Sequence, residues 1–365
     1  MRFPLGAKLK RLITTLPHKV KVGSQYVGQG KPVFCIAEIG NNHNGDFELA
    51  KRTIEAAKDA GAQAVKFQRR AVEAVFVREM REMAYDNPRS MAPTYGEHRK
   101  KLELPIEQLR ELKEFSESLG LVFFVTPFDK KSADDLESIN IGAYKIASFD
   151  VTNLSLLGHV AKKGKPILLS TGGSTLEEID TAIETILKYN NRLIVNHCTS
   201  MYPTPDENLD LNMLPVLRER YKPLPIGYSG HEPDFLPSVI AVALGASAVE
   251  RHFTMDKTMR GSDHHMSIEP PEFKKMVDDI RRITVALGAK EKRIHAGEIP
   301  IREKHAKSLA TRVRIPKGAV ITRAMLTVKS PGTGLKPSMV DFIVGKTARY
   351  DIDEDALIKT DSFEV

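Results

Sequence analysis

His231 and His252 each stand at the carboxyl end of a short apolar run, Pro225-Ile226-Gly227-Tyr228-Ser229-Gly230 and Ala248-Val249-Glu250-Arg251. Between them lies one helical pattern, from Asp234 to about Leu244. The stretch therefore reads as one strand–helix–strand unit with an imidazole at the end of each strand. In a parallel α/β barrel, neighbouring strand ends open on one mouth. Two imidazoles there can share a divalent cation. Spacing alone leaves open a second reading, two separately hydrogen-bonded core histidines.

Other strand ends carry a similar vocabulary. Glu38 follows Val33–Ala37, and Lys66 and Gln68 end the run that starts at Ala64. Thr126 follows Leu121–Val125, and Lys145 and Ser148 belong to the end of Ala143–Ala147. Ser170, Thr171 and Gly172 end the fifth run, and Thr199, Ser200 and Tyr202 follow the sixth. Ser229 with His231, and Glu250 with His252, complete the series. On barrel geometry these groups converge on one pocket. Lys66 and Lys145 sit within apolar strands, where an unpaired ammonium is costly. They read as a pair of cations for an anionic substrate, as lysines snorkelling to the rim, or as a Schiff-base nucleophile. The turn Ser170-Thr171-Gly172-Gly173-Ser174 precedes a helix and suits a phosphate. Asp263 and His264 lie in the long loop after the last strand.

Elements that hold such residues recur from residue 33 to about 290. Eight β-branched runs alternate with amphipathic patterns: Val33–Ala37, Ala64–Phe67, Leu121–Val125, Ala143–Ala147, Ile167–Ser170, Leu193–Cys198, Leu224–Tyr228 and Ala246–Arg251. Near-continuous apolar strands separated by helices predict a parallel sheet covered on both faces. Eight repeats favour a closed (β/α)8 barrel. Helix starts are predicted at Asp46, at Pro105, at Ser174 with Glu177 as a capping box, and at Pro271. The polar stretch from Phe67 to Leu104 breaks the rhythm and is expected to be a lid over the mouth. Residues 1–30 read as an extension or small hairpin, 31–290 as the barrel, 291–306 as a charged linker, and 307–365 as a small β-rich domain. Within that domain Val313–Arg323 and Tyr350–Thr360 align at an offset of 37, matching Ile315 with Ile352, Ala319 with Ala356 and Ile321 with Ile358.

Composition sets outer limits. The 365 residues are 41% hydrophobic and 28% charged, ordinary for a globular chain. No apolar stretch approaches the ~20 residues of a membrane span, and the basic N-terminus does not read as a signal peptide. A net charge of +7 without basic runs or tryptophan argues against nucleic acid and suits a small anionic substrate. Cys35 and Cys198, the only cysteines, read as core hydrophobes in a reduced, cytoplasmic setting.

The strings CIAEIGNNHNGDFELAKRTIEAAKDAGAQAVKFQ, YKIAS, LLSTGG, HCTSMYPTP, IGYSGHE, ERHFTMD and RGSDHHMS resemble the sialic acid synthase (N-acetylneuraminate synthase) family. Ser308–Val365 resembles that family's antifreeze-like (SAF) domain. The resemblance implies a TIM-barrel enzyme that condenses phosphoenolpyruvate with an N-acetylated hexosamine, N-acetylmannosamine first among them, to a nine-carbon 2-keto acid and phosphate. It implies a divalent metal, Mn2+ before Mg2+ or Co2+, on His231 and His252. It implies a homodimer in which each small domain caps the partner's barrel. By the same resemblance, Lys66, Thr126 and Lys145 contact the carboxylate side of phosphoenolpyruvate. Ser148, Ser170, Thr171 and Ser229 face its phosphate. Glu38, Tyr202 and Asp263 lie near the sugar and the reacting carbonyl, with Gln68 and Glu250 supporting them. Glu38 is the expected proton carrier.

Two positions depart from that pattern. Ser200 stands where bacterial members often carry asparagine, as in animal-type members. Ser330 stands where the small domain usually has an arginine that reaches the partner's sugar, and it lacks the fork of donors. A legionaminate, pseudaminate, spore-coat sugar or 9-phosphate synthase is the alternative within the same chemistry. A non-catalytic sugar-binding protein is the alternative outside it.

Overall fold

The structure, a computed structural model, describes residues 5–364. Residues 1–4 of the expected extension and residue 365 lie outside them. The chain divides into two compact units, one ending at Gly288 and the other beginning at Ala289.

In the first unit eight strands close a parallel barrel: β3 (Phe34–Gly40), β4 (Ala64–Arg69), β5 (Val122–Pro127), β6 (Tyr144–Ile146), β7 (Ile167–Ser170), β8 (Leu193–Cys198), β9 (Ile226–Gly230) and β10 (Ala248–His252). β10 returns to pair with β3, so no edge is left open. Side chains alternate between the two faces of each strand. The outward residues, such as Val65, Phe123, Leu169 and Val195, pack in one core with the helices. Those helices include α2 (Phe47–Asp59), α6 (Ile106–Ser118), α8 (Leu154–Lys162), α9 (Leu176–Leu187) and α12 (Pro270–Ala286). Ile54, Leu112 and Leu157 are fully buried there, each contributing roughly 1.5–3 kcal/mol.

The inward face changes character along each strand. At the amino end Phe34, Ile36, Ala64, Val122, Phe124, Leu168 and Ile194 form a second apolar cluster. Val20, Val22 and Val27 join it from the hairpin β1 (Lys19–Val22) and β2 (Gln25–Gly28). The hairpin therefore plugs the amino-terminal end of the barrel. It is preceded by α1 (Ala7–Ile13), which the sequence reading did not identify and which buries Leu9 and Ile13. Toward the carboxyl end the same inward positions become polar. Register sets Glu38 beside Lys66, His252 beside Glu38, and Gln68 beside Thr126.

Helix starts follow local chemistry. Asp46 caps α2 by accepting the Leu49 N–H at 2.9 Å. The predicted box at Ser174 and Glu177 is displaced by one residue. Thr175 caps α9 and Glu178 answers its backbone N–H, because Leu176, not Thr175, is the first residue with helical hydrogen bonding. The last long helix likewise starts at Pro270, boxed by Glu269 and Glu272. The stretch from Phe67 to Leu104 is built rather than irregular. It holds α3 (Val72–Val75), α4 (Arg78–Glu82) and α5 (Tyr95–Lys101). Rings of Phe76, Tyr85, Tyr95 and His98 pack on one another with centroids 4.8–5.2 Å apart. Among the described residues no helix is long and apolar enough to cross a membrane.

The second unit includes the stretch expected as linker, where α13 (Ile299–His305) forms with every residue exposed. Its strands β11 (Ser308–Thr311) and β12 (Leu326–Lys329) pair antiparallel. The weak internal repeat has a structural meaning. Ile315 and Ile352 exchange two backbone hydrogen bonds of 2.8 Å. Thr311 N–H donates to the Ala356 carbonyl and Ala348 N–H to the Ala319 carbonyl, both at 2.9 Å. The two pairs are related by the 37-residue offset, so the halves face each other across a local pseudo-two-fold.

Candidate active site

At the carboxyl end of the barrel a cavity of about 620 Å³ opens. Its wall includes Glu38, Lys66, Gln68, Thr126, Lys145, Ser148, Ser170, Tyr202, Ser229, His231, Glu250, His252 and Asp263. Each of these was expected there from the sequence. Thr171, Gly172 and Ser200 stand behind the wall. The Thr171 hydroxyl turns away to donate to the Asn196 carbonyl at 2.9 Å. Gly172 donates its N–H to the Ser148 hydroxyl at 2.9 Å. A Cβ on Gly172 would collide with the Ser200 hydroxyl, so the turn requires glycine for close approach.

The floor is a compact ionic network. Lys66 Nζ lies 2.8 Å from Glu38 Oε1 and 3.8 Å from Glu250 Oε1, and it donates to Thr126 Oγ1 at 3.0 Å. Lys145 Nζ lies 3.2 Å from Glu250 Oε1, which also accepts the Ser229 hydroxyl at 3.2 Å. All four ionic side chains are buried. Both lysine side chains end on buried carboxylates rather than reaching the rim, which argues against snorkelling. The two carboxylates diverge. Burial pushes the Glu38 carboxyl up, and Lys66 only partly offsets it. Burial acts on Glu250 too, but Lys145 and Lys66 outweigh it and hold that carboxyl down at about 2. Two carboxyl groups with values pushed apart provide one proton carrier and one fixed anion.

Glu38 is aimed by its surroundings. The strand bulges between Glu38 and Gly40, where φ is +53°. Gln68 Nε2 donates to Glu38 Oε1 at 2.8 Å, while Oε2 has no hydrogen-bond partner. Ser170 Oγ and Glu250 Oε2 are also buried without partners. Such groups at a cavity wall are prepared for a polar ligand.

His231 and His252 have ring centroids 5.4 Å apart. The His231 Nδ1–H donates to the Thr199 carbonyl at 2.9 Å, which fixes the tautomer and leaves Nε2 with a lone pair. His252 Nδ1 is buried without a hydrogen-bond partner, 3.9 Å from Asp263 Oδ2. Burial lowers the His252 imidazole to about 3, so it is neutral and able to ligate. The separation fits two nitrogens each ~2.1 Å from one ion. No group of three or more His, Cys, Asp or Glu converges for a metal among the described residues. The two imidazoles would therefore supply two ligands and leave the other positions to water or substrate. The Tyr202 ring lies 4.2 Å from the His231 ring, at the rim.

Several wall residues escaped the sequence reading. Cys198, read as a core hydrophobe, lines the cavity with its Sγ 3.9 Å from His231 Nδ1. Cys35 remains in the core, and both thiols are free. The lid contributes Val75, Phe76, Tyr85, Asn87, Arg89, Tyr95 and Arg99, and Arg70 joins them just after β4. His265, beside the anticipated Asp263, is also in the wall. The doubled arginine at 69–70 and the basic end of α5 were the available signals. In the second unit, Ser330 accepts from Lys307 at 2.8 Å and donates to the His305 carbonyl at 3.1 Å. Lys329 pairs with Asp355.

Comparison with known proteins agrees with this geometry. The chain matches the NeuB family over residues 53–292 and the SAF domain over residues 306–364. It is 38% identical to the N-acetylneuraminate-9-phosphate synthase of Homo sapiens over 92% of this chain and 93% of that protein. It is 39% identical to the N,N'-diacetyllegionaminic acid synthase of Legionella pneumophila, over 87% and 91% respectively. The crystal structure of the N-acetylneuraminic acid (sialic acid) synthetase of Leptospira borgpetersenii with citrate superimposes with a TM-score of 0.70 at 34% identity, covering 79% of this chain and 96% of that one. A barrel whose polar mouth, strand for strand, carries these residues, followed by a SAF domain, places the chain in the NeuB family of sialic acid synthase-type enzymes.

Proposed function

We propose that this protein condenses phosphoenolpyruvate with an acceptor of N-acetylmannosamine configuration, forming an N-acetylneuraminate-type 2-keto acid and releasing phosphate. The observation that carries the reading is the juxtaposition of the paired lysines Lys66 and Lys145 with two imidazoles at one barrel mouth. An enol phosphate is a small trianion, and two buried ammonium groups orient such a ligand. The names of the relatives support the same chemistry and differ in the sugar. Legionaminate, pseudaminate, spore-coat sugar and N-acetylneuraminate-9-phosphate synthesis are the alternatives.

In this reading Lys66, Thr126 and Lys145 hold the carboxylate of phosphoenolpyruvate, and Ser148, Ser170 and Ser229 face its phosphate. C3 of the enol attacks the aldehyde carbon of the open-chain sugar, water adds at C2, and phosphate leaves with the C–O electron pair. Glu38, with its raised carboxyl, holds the proton that the carbonyl oxygen takes up. Gln68 and Glu250 fix Glu38 and the lysines in place. Tyr202 and Asp263 flank the sugar end. A divalent cation, Mn2+ or else Mg2+ or Co2+, would sit on His231 and His252 and would supply Lewis-acid polarisation of the sugar carbonyl. We further read the protein as a homodimer completed by its small domain, a reading supported by family membership and checked by light scattering in solution.

The test is phosphate release with phosphoenolpyruvate and a panel of N-acetylated hexoses, with and without chelator. Release that depends on both the sugar and the cation is expected. A calorimetric titration with phosphoenolpyruvate that stays silent with Mn2+ present would overturn the reading in favour of a sugar-binding protein.

A further inference from the structure

Residues 1–31 contain seven Lys and Arg and no Asp or Glu, so this segment carries the whole net charge of +7, and the rest of the chain balances at 47 of each sign. The described part of the segment lies at one end of the barrel unit. The hairpin of β1 and β2 plugs the amino-terminal end through Val20, Val22 and Val27. Alternation along its strands turns Lys19, Lys21 and Tyr26 outward, and all three are exposed. In the same way α1 buries Leu9 and Ile13 and leaves Lys10 and Arg11 exposed. The loops that enter the barrel at this end add to the charge. Lys162 precedes β7, Lys188 and Arg192 precede β8, and Lys222 precedes β9, and all four are exposed. Carboxylates near this end are already matched: Glu184 pairs with Lys8, Asp134 with Lys163, Glu137 with Lys165 and Asp180 with Arg220. Asp59 and Glu219 each adjoin a base in sequence, Lys58 and Arg218. Among the described residues Lys10, Arg11, Lys21, Lys188 and Lys222 have no carboxylate within ion-pair distance. Two tyrosines stand among the lysines. Lys19 and Lys31 Nζ lie 5.3 and 5.7 Å from the Tyr26 ring centroid, and Lys162 Nζ lies 4.9 Å from that of Tyr189. The two rings are 44% and 52% exposed.

We propose that the amino-terminal end of the barrel unit is a docking face for the anionic headgroups of a lipid bilayer. Charge complementarity demands an anion, and the make-up of the face selects its kind. Lysine outnumbers arginine here. A lysine is a mobile point charge that suits a diffuse anionic surface, whereas reading single phosphates favours the arginine fork. The one helix of the face, α1, is held down by Leu9 and Ile13 and is not free to enter a nucleic-acid groove. The cations are spread from the hairpin over three loops, so a planar surface meets more of them at once than a compact acidic ligand does. Tyrosines among lysines are the pairing that settles at the level of the headgroups. The contact is peripheral and needs no spanning segment. The cavity opens at the carboxyl end of the strands, so docking through the amino end leaves its mouth turned away from the bilayer and clear for substrate.

The test is sedimentation of the full chain with vesicles of phosphatidylcholine alone and of phosphatidylcholine mixed with phosphatidylserine. Wild type should partition onto the anionic vesicles only. The partition should vanish near 1 M salt, where charges are screened beyond about 3 Å. Lys19→Gln, Lys21→Gln and Lys31→Gln combined should lower the partition coefficient by about a hundredfold, at about fivefold for each lysine. Lys292→Gln, Lys336→Gln and Lys359→Gln combined, at exposed positions of the second unit, change the net charge equally and should leave the partition close to wild type. Thermal midpoints matching wild type in both sets separate lost binding from lost fold. Absence of partition onto anionic vesicles, or an equal loss in the two sets, overturns the proposal. Retention of single-stranded RNA at a salt concentration where anionic vesicles no longer hold the protein assigns the face to nucleic acid and overturns it as well.

Discussion

Arg251 offers the most direct test of how the two histidines are held. It follows Glu250 on β10 and points outward, away from the cavity, where it is 1% exposed. Nη1 donates to Glu232 Oε1 at 2.6 Å and to the Asp234 carbonyl at 2.5 Å, and Glu232 Oε2 accepts the Tyr228 hydroxyl at 2.9 Å. Nη2 donates to the Glu232 carbonyl. Glu232 adjoins His231 and Arg251 adjoins His252, so one buried ion pair ties both histidine-bearing segments together. Arg251→Met keeps the apolar stem but strips the guanidinium. Glu232 is then left as a buried carboxylate held only by the Tyr228 and Ser238 hydroxyls, and two carbonyls lose their donors. Both groups are solvent-free, so no screening discount applies, and the expected loss is about 3–5 kcal/mol. Urea unfolding followed through the barrel unit measures it as a fall in midpoint at constant slope. The double variant Glu232→Gln with Arg251→Met should recover part of the loss, because no uncompensated charge remains. A single variant within about 1 kcal/mol of wild type would refute the reasoning.

Three further expectations concern the cavity and its surroundings. His231→Ala and His252→Ala should each abolish cation-dependent phosphate release, and wild-type turnover of the double variant after chelation would remove the metal from the scheme. Lys145→Ala should raise KM for phosphoenolpyruvate by roughly ten- to hundredfold through one lost charge-assisted contact, whereas trapping of substrate on Lys66 or Lys145 by borohydride would favour the aldolase alternative. The His43 imidazole, next to Phe67 and accepting the Gly45 N–H at 3.0 Å, is lowered by burial to about 4. The unfolded chain takes up that proton first, so this stabilisation is present above about pH 6.5 and is lost as pH falls toward 4, at a cost of about 3 kcal/mol. His43→Asn should flatten the acid limb of stability against pH, and an unchanged slope would show that His43 is not a contributor.

Much of the barrel could be read along the chain because its strands are buried on both faces and its helices on one. The runs Ala64–Phe67, Ile167–Ser170 and Leu193–Cys198 were placed to within two residues, and the polar groups closing them fell on one mouth. Caps were less secure. Ser174 and Thr175 are chemically equivalent as capping residues, and only the backbone decides which accepts the N3 N–H. Helix α1 and the three short helices of the lid were missed because each is below the length at which periodicity is informative. The lid arginines escaped for a related reason. Arg89 and Arg99 are ordinary in a basic surface segment until that segment folds over the mouth.

By itself the sequence determined the repeating strand–helix order, the closed barrel and the types of group at its carboxyl end, since alternation and strand-end position are local properties of the chain. Only the tertiary structure decided which of those groups touch. Glu38 and Lys66 are 28 positions apart and Lys145 and Glu250 are 105 apart, yet barrel closure and register bring each pair within 3.2 Å. Burial then sets their charges against one another, and neither burial nor register between distant strands is written in the order of residues along any one of them.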